Sequence, residues 1–185
     1  MIKKRLKQVT FILILLIHIS FIGLIFFEKQ NNAALIISLL VILFLLAITY
    51  VKEPVRPQHN NFDELNTIFS VFLGAISTYF LHSFLGLSTV LSASLVGLVV
   101  SFVPNIFKKY GIVKSMPAAM YCGAFVGMTS TAVASGYLFI LLSSCITGLL
   151  LVSANGVFHN IGGKLGTLAF GGVVLAFLII LLISQ

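Results

Sequence analysis

The chain has 185 residues, 59% of them hydrophobic and 8% charged, with a mean hydropathy of +1.17, whereas a soluble domain carries about a quarter charged residues. This composition excludes a water-soluble globule, and with it disorder, a coiled coil and a disulfide scaffold. A formal charge of +7 would suggest nucleic acid in a soluble protein, but the basic residues here sit between apolar runs and mark one side of a membrane; no nucleic-acid partner is expected.

Roughly 20 apolar residues cross about 30 Å of hydrocarbon. Seven runs are candidates: residues 9–27, 33–51, 65–81, 87–107, 117–134, 137–158 and 165–183. None contains Asp, Glu, Lys or Arg, as expected when a charge at the bilayer centre costs a few kcal/mol on the mildest scale. The expected fold class is all-α: a polytopic helical membrane protein of about seven transmembrane helices.

The start, Met1-Ile-Lys-Lys-Arg-Leu-Lys7 followed by run 9–27, has the layout of a signal peptide. The run is long enough to span, and no small-x-small cleavage site follows at Phe26-Phe27-Glu28, so it reads as a retained signal anchor. With the second run it forms a peripheral unit, residues 1–51, made of Leu, Ile and Phe with one glycine, Gly23. Residues 52–64 are a cytoplasmic linker: Pro54 and Pro57 stop the second helix, and Asp63 and Glu64 favour the positive dipole end of the third. Residues 65–185 are the expected five-helix core, dense in Gly, Ser and Thr. Cys122 and Cys145 fall inside its apolar runs and read as small core residues.

A cytoplasmic N-terminus places Lys3, Lys4, Arg5, Lys7, Lys52, Arg56, Lys108, Lys109, Lys114 and Lys164 inside and only Lys29 outside. The expected location is a cytoplasmic membrane, the inner membrane of a bacterium. The shortest runs, 65–81 and 117–134, could be partly re-entrant, which would require their backbone to be buried in protein or to line a water-filled cavity.

The core repeats itself. Leu91-Ser-Ala-Ser-Leu-Val-Gly-Leu98 matches Leu142-Ser-Ser-Cys-Ile-Thr-Gly-Leu149 at an offset of 51 residues, and Phe72-Leu-Gly-Ala-Ile-Ser-Thr78 matches Phe125-Val-Gly-Met-Thr-Ser-Thr131 at 53. The expected unit is a two-helix hairpin, with copies at 65–111 and 117–162 and a last helix at 165–183. A unit of two crossings keeps its direction, so the copies would be related by an axis along the membrane normal.

Small residues recur every four positions: Gly123, Gly127, Thr131 and Ser135 on the fifth run, Ala93, Gly97 and Ser101 on the fourth, and Gly163, Thr167 and Gly171 on the seventh; the aligned stripe on the third is Ser70, Gly74, Thr78 and His82. Such spacing lets helix backbones approach closely in lipid, which makes Gly74, Gly97, Gly123, Gly127, Gly148 and Gly171 the packing candidates. The hydroxyls of Ser77, Thr78, Thr129, Ser130 and Thr131, with His82 at the outer turn, are the candidates for a pathway or ligand-binding lining. The competing reading is that such hydroxyls bond back to their own helix carbonyls. Asn105, after Pro104, and Asn155, before Gly156, are candidates for an inner gate or are ordinary helix ends.

No catalytic motif is present: there is no His-Glu-x-x-His, Gly-x-Ser-x-Gly, P-loop or intramembrane carboxylate pair. The four histidines show no ligand spacing, so neither metal nor cofactor is expected; His18 reads as a neutral imidazole bonded to a neighbouring helix. The expected function is a small transporter or channel for a small neutral or polar solute or an ion, associating as a homo-oligomer or with another membrane protein. The alternative is a non-transporting membrane subunit or sensor that packs on a partner through its small-residue stripes.

Overall fold

A computed structural model describes residues 2–28, 64–106, 115–154 and 163–184, with isolated positions 37, 40, 41 and 44. The second apolar run and the linker therefore lie outside the described residues, apart from those four positions and Glu64. Among the described residues there are six helices and no strand: α1 (Ile2–Glu28), α2 (Glu64–Ser83), α3 (Thr89–Ile106), α4 (Met116–Gly127), α5 (Tyr137–Ser153) and α6 (Lys164–Ile183). Three carry stretches long and apolar enough to cross a membrane: Val9–Phe27, Leu65–Ser83 and Lys164–Ile183.

The helix ends follow from local chemistry. The Ser88 Oγ accepts the Leu91 N–H at 3.3 Å and so caps the start of α3, and Pro117 stands in the first turn of α4, where a missing N–H costs nothing. Gly136 and Gly163 precede α5 and α6 at φ of 109° and 82°, a region a side chain disfavours. Pro104 lies inside α3, which nevertheless continues to Ile106.

The fifth run departs from expectation. Helix is expected over 117–134, but α4 has 12 residues and ends at Gly127, a length of about 18 Å against about 30 Å for the 20 residues of α2. Residues 128–136 are turns and irregular chain. The stripe of Gly123, Gly127, Thr131 and Ser135 is thus helical only as far as its second member.

Close approaches fix the directions. A methyl group placed on Gly74 would strike the Met120 backbone, and one on Gly127 would strike the Ala75 carbonyl and reach Thr78 Cβ at 2.7 Å, so α4 runs parallel to α2. The Gly148 position meets Ile68, and the Tyr137 ring meets Tyr79 at 5.0 Å, so α5 is antiparallel to α2. The α2–α4 pair is the most extensive contact; α5 and α3 flank it, and α6 covers α5 and α4. Peripheral α1 rests on α5 and α6, with Thr10 Oγ1 donating to Ser153 Oγ at 3.1 Å and Phe21 edge-on to Phe170 at 5.0 Å. Only 11% of its apolar window is buried.

The core runs through Val71, Ala75 and Tyr79 of α2, Cys122 and Val126 of α4, Phe139 and Ile140 of α5 and Leu168 of α6. Small residues dominate the α2–α4 seam because lipid offers no hydrophobic drive between helices, and association has to come from close backbone packing. At the opposite end of α5 from Tyr137, Lys164 Nζ donates to the Ala154 carbonyl at 3.1 Å, satisfying one of the carbonyls freed at the end of α5.

Candidate functional site

The point of interest is the end of α4. In a continuing helix the Thr129 amide would bond the Phe125 carbonyl; it turns instead to Val126 O at 3.1 Å. The Thr129 hydroxyl donates to that same Val126 carbonyl at 2.6 Å. Ser130 then closes the following turn, its carbonyl accepting the Val133 and Ala134 amides at 2.9 and 2.8 Å and its Oγ accepting the Ala132 amide at 3.2 Å. These bonds hold the break at Gly127 and leave the Phe125 and Gly127 carbonyls without their helical donors.

Beside this end stands Thr78 of α2. Its side chain lies against Gly127, is completely buried, and its hydroxyl has no hydrogen-bond partner among the described residues. Such a group costs about 1–3 kcal/mol when left unsatisfied. One turn further along α2, His82 Nε2 is also buried without a partner among the described residues; the ring sits edge-on to Tyr79 at 5.0 Å, and Tyr79 stands edge-on to Tyr137 at 5.0 Å. An aromatic wall thus flanks the end of the α2–α5 contact where Tyr79 meets Tyr137.

The proposed lining does not assemble as one surface. Thr78 is buried at the break, Ser77 is half-buried on α2, and Ser130 and Thr131 are exposed. Thr129 and Ser130 use their hydroxyls on the local backbone, the behaviour that competes with a lining role. Asn105 falls in the last turn of α3, and its side chain lies outside the described residues, as does Asn155 entirely.

Two hydroxyls missing from the expected set belong beside Thr78 in kind. Ser143 and Thr147, one turn apart on α5, are completely buried, and neither hydroxyl has a partner among the described residues. Their spacing within the second repeat copy was visible in the sequence, but the adjacent Gly148 carried the packing signal. His18 differs from expectation as well: its Nδ1–H donates to the Ile14 carbonyl of its own helix at 2.8 Å, and Phe170 of α6 only borders the ring edge-on at 5.8 Å.

The glycines sort by what they touch. Gly123 abuts the Val71 carbonyl, and a methyl there would lie 2.7 Å from Val71 C and 2.9 Å from Ala75 N. On Gly97 it would lie 2.5 Å from Tyr121 Cε2, and on Gly148 3.1 Å from Ile68 Cα. Gly97 and Gly148 are 51 apart, and Ile68 and Tyr121 are 53 apart, the two offsets of the repeat. The crossing of α3 on α4 thus has the same register as that of α5 on α2, each joining the second helix of one expected hairpin to the first helix of the other. On α6 the tight position is Gly172, against Thr147, and not Gly171, whose nearest neighbour would be Leu150 Cδ1 at 3.6 Å.

A groove of about 1140 Å³ runs between α1 and α6 and ends on Met128, Thr129 and Val133. Ser20 and Thr129 supply its polar side chains; the remainder is apolar. Among the described residues no three His, Cys, Asp or Glu side chains gather to hold a metal ion. Compared with known protein families, with curated proteins and with solved structures, the chain matches none.

Proposed function

We propose that this chain is a small integral membrane transporter or channel for a small neutral or polar solute or an ion, acting at the interface of two duplicated hairpins. One observation carries the reading: α4 stops at the buried Gly127, beside the buried hydroxyl of Thr78, which has no partner among the described residues. Within a bilayer an interrupted backbone is tolerated only where protein buries it or it lines a cavity, and transporters build binding sites from such discontinuous helices. The recurrence of the Gly97 crossing at Gly148 supports the duplication, and the parallel run of α2 and α4 suits an axis along the membrane normal.

The fuller topology belongs to the same proposal: seven spans, a cytoplasmic N-terminus, an inner-membrane location and association into a homo-oligomer. Parallel directions of α2, α4 and α6 support it, because they bring the starts of these helices to one end of the bundle together with Lys164. A partner-binding subunit or sensor would need a contact surface other than the glycine stripes, since Gly74, Gly123 and Gly127 are used within the chain.

Solute-dependent swelling and ion flux in liposomes carrying the purified protein test the reading. Empty liposomes and an inserted Gly123→Leu variant, in which α2 cannot close on α4, are the controls. Flux selective for one solute class is expected from the wild type alone. A tight membrane across a broad panel of neutral solutes and ions would overturn it.

A further inference from the structure

We infer that the end of α4 and Thr78 together form a binding site for a monovalent alkali cation. The inference deepens the transport reading by naming what occupies the break, and it rests on that reading's placement of α4 within the membrane.

Three features converge. A helix C-terminus carries roughly half a negative charge in its freed carbonyls; here the Phe125 carbonyl loses its donor because Thr129 turns to Val126, and the Gly127 carbonyl lacks the Thr131 amide because the helix has already ended. Thr78, whose Cβ lies against Gly127, brings to the same helix end a fully buried hydroxyl with no partner among the described residues. Both kinds of donor are hard oxygens, the ligands that replace the hydration shell of an alkali ion in membrane sites built from backbone carbonyls. The four acidic residues of the chain, Glu28, Glu53, Asp63 and Glu64, all precede residue 65. Neutral oxygens alone do not offset a divalent charge, for which proteins supply carboxylates, so the site suits a single positive charge. Anions are disfavoured by the same helix end.

The test is thermal melting of the purified protein in mild detergent with sodium or potassium chloride, against choline chloride at equal ionic strength. One alkali ion at about ten times its Kd is expected to raise the melting temperature of the wild type by roughly 3–6 °C. Thr78→Ser, which keeps the oxygen, should retain the shift and Thr78→Val should lose it. Thr78→Cys, of similar size and a poor alkali-ion ligand, gives the same comparison should the valine variant not fold. Equal melting in choline and in both alkali salts would overturn the site, as would an undiminished shift in the valine or cysteine variant. The shift is read without any flux. A shift with tight liposomes keeps the site and removes transport, and cation-independent solute flux without a shift keeps transport and removes the site.

Discussion

Replacing Gly123 by alanine adds a single methyl group at the α2–α4 seam. That carbon would fall on the Val71 carbonyl, 2.7 Å from Val71 C and 2.9 Å from Ala75 N. All three neighbours are backbone, so no side-chain rotation relieves the clash, and the helices have to separate by roughly 1 Å to restore ordinary van der Waals distance. Overpacking of this kind costs about 1–3 kcal/mol, sometimes more, and it acts on the most extensive helix contact in the molecule. Gly171→Ala is the matched control, because its methyl would meet Leu150 Cδ1 at 3.6 Å and Ile17 Cδ1 at 3.9 Å, both ordinary contacts. There alanine gains about 0.8–1 kcal/mol of helix propensity over glycine. Both glycines lie inside helices, so that gain is common to the two substitutions, and Gly123→Ala is expected to fall below Gly171→Ala by the overpacking cost, about 1–3 kcal/mol. Melting followed by far-ultraviolet circular dichroism in detergent measures the difference. If Gly123→Ala melts at or above Gly171→Ala, the close α2–α4 approach is refuted.

Two further substitutions probe the buried hydroxyls. Gly172→Ala sets its methyl against the Thr147 hydroxyl and 3.0 Å from Thr147 Cβ, so it should destabilise, and Thr147→Ala in the same chain should recover part of the loss; strictly additive effects in the double-mutant cycle would separate the two residues. Ser143→Ala removes a buried hydroxyl with no partner among the described residues, so melting should be unchanged or raised; a loss of more than about 1 kcal/mol would show that the hydroxyl has a partner.

The residues announce some of the close helix approaches and leave the role of the hydroxyls ambiguous. Gly74, Gly123 and Gly127 announce close packing because a residue with no Cβ repeated along one helix face leaves room for another backbone, and that face is set by the 3.6-residue period alone. Thr129 and Ser130 looked like lining because a hydroxyl in an apolar run needs a partner, and the sequence does not say whether that partner is a ligand or the local backbone. Both turn to the backbone. The four-residue spacing points to Gly171 and not Gly172, yet which of two adjacent glycines meets a neighbour depends on the rotation of α6 about its own axis.

By itself the sequence determined that the chain is helical and apolar enough to enter a membrane, where its charges gather, and that two stretches of it share a residue pattern. Those properties follow from composition and local period, which each stretch carries without its neighbours. Only the tertiary structure decided that α4 ends at Gly127, that Thr78 stands buried beside that end, and that the Gly97 crossing recurs at Gly148. Residues 117–134 are apolar throughout, and apolarity does not distinguish a continuous helix from one that stops. The stop is set by where the Thr129 and Ser130 hydroxyls and amides find acceptors and by how closely α2 approaches, and both depend on partners distant in sequence or on a turn that competes with the helix for the same carbonyls.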